Sequence, residues 1–336
     1  MLIDNNFKTD ILFIDGDHSY DGVIQDFDNY EKFVNSGGYI IFDDYMDKKN
    51  SPEVKKAVDY IVTTIDKKKY EIIGCLKNIV GSYGNDIVGP YLNEFIIKKK
   101  NNKYAIVMAT YYRKNDTTIK YLKRSLDSII NQTYNNWDLI IVSDKYEKEE
   151  ELLDIINIYK SKTNNNIIYI NNQNVERDNV KNKLKLWCCA GANSINLGLK
   201  YARENNYIYY VHIDDDDWWD NNHLEMHNKA YKNYSNCIFV NTQSTYIGKR
   251  LPDNICDIYE NNMLPKPGGM IHSSFGFRLD VIDFYYDTDL YNGINTPADA
   301  NMLYKIKTFL LNNKKYCSIY IPELTCYHDE EGLSKS

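Results

Sequence analysis

The chain has 336 residues, 43% hydrophobic and 26% charged, the profile of a soluble globular protein long enough for two domains with sizeable cores. Its 40 basic and 47 acidic side chains leave a net charge of −7, which argues against a nucleic-acid partner, because neutralising phosphates needs a basic field. The amino terminus, MLIDNNFKTD, lacks the basic and apolar regions of a signal peptide, and no run approaches a membrane span, so a cytoplasmic location and no transmembrane segment are expected. Seven cysteines, an odd number without metal-finger spacing and with Cys188 and Cys189 adjacent, read as reduced thiols.

Residues 10–15, DILFID, are an apolar run ending in carboxylates and predict a buried strand. Residues 22–34 have helical spacing, with Val23, Phe27, Tyr30 and Phe33 or Val34 on one face. Ser36-Gly37-Gly38 reads as a turn, and residues 39–42 as a strand ending at Asp43 and Asp44. Ser51, Pro52 and Glu53 open a helix as cap, first-turn proline and first-turn acid, continued by Val54, Ala57, Val58 and Ile61. Residues 70–75 and 94–97 are further strands, and the alternation predicts a parallel, doubly wound sheet.

The segment ILFIDGDHSYDGVIQDF, followed by SGGYIIFDDY and VKKAV, resembles the C-terminal half of a class I S-adenosylmethionine-dependent methyltransferase over roughly residues 8–97. In related metal-dependent O-methyltransferases, carboxylates at the ends of these two strands bind a divalent ion; by position they would be Asp15, Asp43 and Asp44. That family's Gly-rich cofactor turn falls upstream of the matching segment, so the resemblance implies a truncated methyltransferase-like unit without a cofactor site. A half-sheet leaves an unpaired edge and an uncovered face, which makes a homo-oligomer, or packing onto the second domain, a reasonable expectation. Residues 98–103, KKKNNK, read as a solvated linker and divide the chain into domains 1–100 and 101–336.

In the second domain, residues 104–110 (YAIVMAT) predict a buried strand, and Asn115 or Asp116 caps a helix with Ile119, Leu122, Leu126, Ile129 and Ile130 on one face. A strand at 137–142 ends near Asp144, a helix at 147–159 turns Leu152, Ile155, Ile156 and Tyr159 inward, and a third strand covers 167–170. A helix at 194–204 precedes the stretch that dominates the domain, residues 207–219, YIYYVHIDDDDWW. A buried strand there runs into four consecutive aspartates, 214–217. Like charges at one strand tip repel, and a divalent cation held by carboxylate oxygens relieves the repulsion. In an extended tip Asp214 and Asp216 point the same way and can share one ion; the plainer alternative is a solvated acidic turn.

The blocks IVMATYYR (106–113), YLKRSLDSIINQTYNNWDLIIVSD (121–144), GANSINLGLKYA (191–202) and HIDDDDWWDNNHLE (212–225) resemble glycosyltransferase family 2, with its GT-A fold, over about residues 104–336. SSFGFRLDVI (273–282), TPADANMLYKI (296–306) and the C-terminal LTCYHDEEGLSKS continue the match. The resemblance implies an α/β, Rossmann-like domain that handles a nucleotide-diphosphate sugar. It places Thr110, Tyr112 and Arg113 on the loop that meets the nucleotide, and Asp144 against the base, usually uracil, whose N–H a carboxylate accepts. Asn196 and Gly198 match an Asn-x-Gly, with Ile195 where an arginine is usual. Asp214 and Asp216 match the DxD motif: Asp214 lies toward ribose and sugar as well as the ion, Asp215 joins the donor-binding set, and Asp216 holds Mn2+ or Mg2+ on the diphosphate. Asp217 is the frequent following acid.

Asp299 matches the general base that deprotonates an acceptor hydroxyl, with Ala298 replacing the first of two acids; Thr296 to Asp299 also reads as an ordinary helix start, from cap to third position. His328 falls where some relatives place a histidine on the metal or diphosphate. His223 and His227, four apart on a helix, read as surface residues rather than a metal clamp, and Trp218, Trp219 and the loop 267–274 as the acceptor side, with Trp218 and Trp219 equally readable as core. The implied activity is metal-dependent, inverting transfer of a hexose, UDP-linked in the favoured case, to a glycan, protein or small-molecule acceptor. The alternatives are a non-catalytic nucleotide-sugar-binding or scaffold protein and, last, part of a methyltransferase.

Overall fold

Two units, Met1–Asn102 and Lys103–Ser336, make up the chain. The computed structural model describes residues 7–67, 69–75, 82–83, 86–87, 94–113, 117–175, 181–189, 191–252, 258–259, 262–288 and 296–328.

The first unit runs β1 (Thr9–Ile14), α1 (Tyr20–Tyr30), β2 (Val34–Phe42), α2 (Pro52–Thr64), β3 (Tyr70–Gly74), a short ribbon of β4 (Ser82–Tyr83) and β5 (Asp86–Ile87), and β6 (Phe95–Lys99). Val23 and Phe27 of α1 and Val54, Ala57, Val58 and Ile61 of α2 pack on Ile14, Ile40, Phe42 and Ile97, so the helical faces expected from spacing are buried except at Tyr30, which is 39% exposed. The sheet order is β1-β2-β6-β3. Only β1 and β2 pair in parallel; β6 is antiparallel to both β2 and β3, which corrects the expected all-parallel sheet. A parallel return needs a crossover, normally a helix, and among the described residues the chain between β3 and β6 holds only the short ribbon. Strand alternation turns Ile11 and Phe13 away from the helices, where they are 58% and 51% exposed.

Three local expectations are also corrected. Gly37, at φ 86°, lies inside β2 rather than in a turn between elements. Ser51 precedes α2 but its side chain does not cap it; the hydroxyl instead donates to Asp44 Oδ2 at 3.0 Å and meets His18 Nδ1 at 3.1 Å. The lysine run is not a solvated linker: Lys98 lies over the Tyr39 ring, Lys99 pairs with Glu31, and a strand resumes at Asn101.

The second unit continues with β7 (Asn101–Thr110), α3 (Thr118–Ile130), β8 (Trp137–Asp144), α4 (Glu149–Lys160), β9 (Ile167–Asn172), α5 (Lys183–Cys189), α6 (Ala192–Glu204) and β10 (Tyr207–His212). Then come β11 (Trp218–Trp219), α7 (His223–Asn233), β12 (Cys237–Tyr246), β13 (Lys249–Leu251), a ribbon of β14 (Ile258–Tyr259) and β15 (Asn262–Met263), β16 (Phe275–Arg278), α8 (Ala298–Asn312) and β17 (Cys317–Tyr327). One sheet runs β11-β17-β12-β16-β10-β7-β8-β9, with β13 on β12. β7, β8 and β9 pair in parallel, while β16 is antiparallel to both β10 and β12. Beyond this parallel half the antiparallel β16 intervenes and β12 and β17 then pair in parallel again, a mixed sheet of the Rossmann-like α/β type. Asn115 and Asp116, expected to cap α3, lie outside the described residues.

β7 and β8 are almost wholly buried because helices cover both faces, which is why they read as continuous apolar runs. Leu122, Leu126 and Ile129 of α3 and Leu152 and Ile156 of α4 pack on one side. Leu199 and Ala202 of α6 and Met302, Leu303 and Ile306 of α8 pack on the other. A Cβ on Gly198 would stand 2.5 Å from Val107 Cγ1, so close seating of α6 on β7 needs glycine there. His223 and His227 are fully buried, not superficial. His223 stacks on Trp219 at 4.3 Å and its Nδ1 meets Thr325 Oγ1 at 2.8 Å, because β12 and β17 cover that face of α7.

Candidate functional site: an aspartate turn at a strand tip

β10, an interior strand, delivers the four aspartates just past its C-terminal end, but not as an extended tip. Asp217 N–H donates to the Asp214 carbonyl at 3.1 Å, which closes a turn over 214–217 and corrects the extended geometry expected from sequence. The four side chains nevertheless divide in two. Asp214 and Asp216 face outward, 39% and 18% exposed, whereas Asp215 and Asp217 are 5% and 1% exposed.

The inward pair is occupied within the protein. Asp215 accepts Thr110 Oγ1–H at 2.6 Å and both terminal nitrogens of Arg113 at 2.8 and 2.6 Å, a fork that also reaches Asp216 at 3.1 Å. Arg113 is 13% exposed; burial works against its charge, but Asp215 more than offsets it and holds the guanidinium charged. Asp217 accepts His328 Nδ1–H at 2.7 Å. Burial works against a charge on His328, but the bond to Asp217 and the surrounding carboxylates lift the imidazole to about 9. Burial, with Asp215, Asp217 and Asp214 adding repulsion, pushes the Asp216 carboxyl up to about 8.

The backbone of the turn is fastened as well. Arg124 donates to the Asp216 carbonyl, and the Ser125 hydroxyl reaches the carbonyls of Asp217 and, at 3.0 Å, Asp215. Asp214 N–H donates to Ser273 Oγ at 2.9 Å, and Trp219 Nε1–H to the Ser273 carbonyl at 2.7 Å. Trp219 is therefore a core residue. Trp218 lies between Arg124, 4.1 Å from its ring, and Tyr327, stacked at 5.4 Å.

The remaining sequence candidates are spread around this turn. Asp144 ends β8, is buried, and is hydrogen-bonded by Ser194 in the first turn of α6. Tyr112 packs edge-on against Tyr146 at 5.8 Å, with Lys148 over its ring. Asn196 does not face the turn: its amide clasps the Tyr286 backbone in both directions, at 2.9 and 2.8 Å. Asp299 sits in the first turn of α8, where Pro297 rather than Thr296 is the cap residue; Thr296 Oγ1 donates to Asn301 instead. Burial raises the Asp299 carboxyl above the usual range, and the charge of Asp214 adds to the rise.

Two histidines that carry no local sequence signal complete the site. His212 Nε2–H donates to Asp214 Oδ1 at 2.8 Å, and His272 stacks on His212 with centroids 3.6 Å apart and planes 12° from parallel. Burial holds His212 neutral, with its pKa lowered to about 3. His212, Asp214 and His272 each bring a ligand atom within 4.8 Å of the others. Parallel rings aim their in-plane lone pairs side by side rather than at one point; His212 orients Asp214, and His272, bonded to the Tyr286 hydroxyl at 2.6 Å, backs the His212 ring. In the first unit, His18 stands between Asp15 (3.2 Å) and Asp44 (3.6 Å), while Asp43 accepts the Asp44 N–H.

A methyltransferase-domain family matches residues 3–45. The uncharacterized glycosyltransferase R139 of Acanthamoeba polyphaga mimivirus is 46% identical over 242 residues, 70% of this chain and 96% of the relative. The uncharacterized protein R132 of the same virus is 52% identical over 96 residues, 26% of this chain and 43% of its own length. Among solved structures, S. aureus TarS 1–349 in complex with UDP-GlcNAc aligns at a TM-score of 0.49 and 16% identity, over 70% of this chain and 61% of that one. Mannosyltransferase PcManGT from Pyrobaculum calidifontis, in complex with GDP-Man and Mn2+, aligns at 0.46 and 13%, over 68% and 58%. The chain thus spans about 60% of these two solved proteins. With close to half its residues shared across nearly the whole of R139, and a methyltransferase-like segment at its amino terminus, this chain belongs to the glycosyltransferases.

Proposed function

We infer that the second unit moves a sugar from a nucleotide-diphosphate donor, UDP-linked in the favoured case, to a hydroxyl acceptor with inversion, assisted by a divalent ion, Mn2+ or Mg2+. The observation that carries this reading is the division of the aspartate turn: Asp215 and Asp217 are used inside the protein while Asp214 and Asp216 face out. Two outward carboxylates, one of them lifted to about 8 by burial and its neighbours, suit a cation that would favour their ionised forms. His328 supports the fit. Its Nε2 is buried with no partner among the described residues, while Asp217 fixes its Nδ1, the carboxylate–histidine pairing that orients a metal ligand, and an ion bound there would displace the Nε2 proton. Asp214, Asp216 and His328 would hold the ion, and the ion would supply positive charge beside the leaving diphosphate.

Thr110 and Arg113 act through Asp215, whose carboxylate they lock in place, and Asp144 and Tyr112 are assigned to the base. Asp299 is the general base. As the acceptor oxygen bonds to the anomeric carbon and the bond to the diphosphate breaks, the acceptor proton passes to the Asp299 carboxylate. Calorimetric titration with UDP-, GDP- and dTDP-sugars, with and without Mn2+, tests this on wild type, Asp216→Ala and Asp299→Asn. Expected is metal-dependent binding of one donor, lost in Asp216→Ala and kept in Asp299→Asn, whose turnover collapses. Absence of binding by every donor would overturn the donor assignment, and full turnover by Asp299→Asn would overturn the base.

A further inference from the structure

A cavity of about 740 Å³ opens between residues 284–288 and one face of α8, and none of the donor-handling residues lines it. Its volume falls within the roughly 300–1,000 Å³ typical of small-ligand sites. The wall is held in place before any ligand arrives. Asn196 clasps the backbone of Tyr286, whose hydroxyl pairs with His272 Nε2 at 2.6 Å. Arg203 donates to the carbonyls of Ile282 and Phe284 and lies 4.3 Å from the Tyr285 ring, fixing that ring from one side. Phe284 and Phe309 meet edge to face at 5.9 Å.

The lining has a definite chemistry. Tyr285 and Tyr304 present large aromatic surface to solvent, 41% and 64% exposed. Thr308, Asn312 and Asn313 add a hydroxyl and two amides. Among the described residues of the lining, Lys305 and Asp287 are the cation and the anion and pair with each other, so these residues offer no net positive charge to a phosphate. Aromatic faces for apolar C–H surfaces, ringed by neutral and charge-balanced hydrogen-bonding groups, suit a neutral saccharide and not a nucleotide. At about 100° per residue, Tyr304, Thr308 and Asn312 lie roughly 140–220° around α8 from Asp299, so this is a second site on the far face of the helix that carries the proposed base.

We propose that this cavity binds a neutral oligosaccharide and tethers the acceptor glycan to the enzyme, an assignment that rests on the sugar-transfer reading above. The test uses the full chain and four probes: maltotetraose, cellotetraose, chitotetraose and mannotetraose, titrated by saturation-transfer NMR. Wild type should bind at least one saturably, and Tyr304→Ala should raise its Kd tenfold or more. Tyr304 is exposed in mid-helix and alanine is the better helix former, so the variant keeps the fold. UDP titrated with Mn2+ in parallel should bind both proteins equally. Binding of no tetrasaccharide, or binding indifferent to Tyr304→Ala, overturns the tether even if UDP binds. Tetrasaccharide binding sensitive to Tyr304→Ala without any UDP binding would instead overturn the donor assignment, and with it the acceptor role, while upholding the saccharide site itself.

Discussion

Acid should loosen the second unit through its buried histidines, and His227 gives the effect a size. Its ring is fully buried in α7, and burial lowers its pKa from 6.5 to about 3. The folded state therefore keeps the imidazole neutral where the unfolded chain protonates it. A depressed histidine contributes stability that is whole above its unfolded value and is lost as pH falls from about 6.5 toward 3. At pH 5 the difference in proton binding is worth about 2 kcal/mol, and below pH 3 it approaches about 5 kcal/mol. His223, 4.6 Å away and also pushed down by burial, adds in the same direction. The assay is urea unfolding of wild type and His227→Gln at pH 8 and pH 5. The variant starts weaker at pH 8, but wild type should lose about 2 kcal/mol more than the variant on going to pH 5, since groups common to both proteins cancel. Equal losses in the two proteins would refute the reasoning, as would an NMR titration in which His227 takes up its proton near pH 6.5.

Three substitutions probe the scaffold of the site. Gly198→Ala should lower stability by about 1–3 kcal/mol, because the new methyl has to displace Val107 or lift α6 from the sheet, and thermal unfolding will register it. Ser125→Ala should cost about 1–3 kcal/mol by leaving buried carbonyls of the turn without their donor, with a matching loss of donor affinity by calorimetry. Arg113→Ala strands the buried Asp215 carboxylate and should cost about 3–5 kcal/mol in chemical denaturation; a neutral effect would mean that Arg113 does not hold the turn.

How much of this was legible depends on the reach of each interaction. β7, β8 and β10 are buried on both faces, so their apolar runs announce them, and the inward faces of α3 and α4 follow from i, i+3, i+4 spacing. The half of the sheet beyond β10, with antiparallel β16 and the parallel pair β12 and β17, leaves a weaker mark. β17 carries Pro322 and Glu323 in mid-strand, and its pairing with β12 shifts register between Thr242 and Ser244, so neither shows clean alternation. Four identical aspartates hold no information about which of them turn inward; that is decided by Thr110, Arg113 and His328, each about 100 residues away in sequence. His212 and His272 meet only because β10 pairs with β16, and burial of His223 and His227 follows from strands that come later in the chain. Histidine sits midway on any hydropathy scale, so its burial leaves no mark in composition.

The fastening of the aspartate turn also bears on which cation could live there. His212 and Ser273 hold Asp214, Thr110 and Arg113 hold Asp215, Arg124 and Ser125 hold the carbonyls, and His328 holds Asp217. A loop tied at so many points cannot dilate cheaply. Ca2+ takes six to eight oxygens at about 2.3–2.6 Å in flexible cages, whereas Mg2+ takes a tighter shell at about 2.0–2.1 Å and keeps much of its water. For the ion proposed at Asp214 and Asp216, the rigidity of the turn would thus act as a filter on ionic radius, favouring a small ion that leaves the bonds of Ser125 and Ser273 intact.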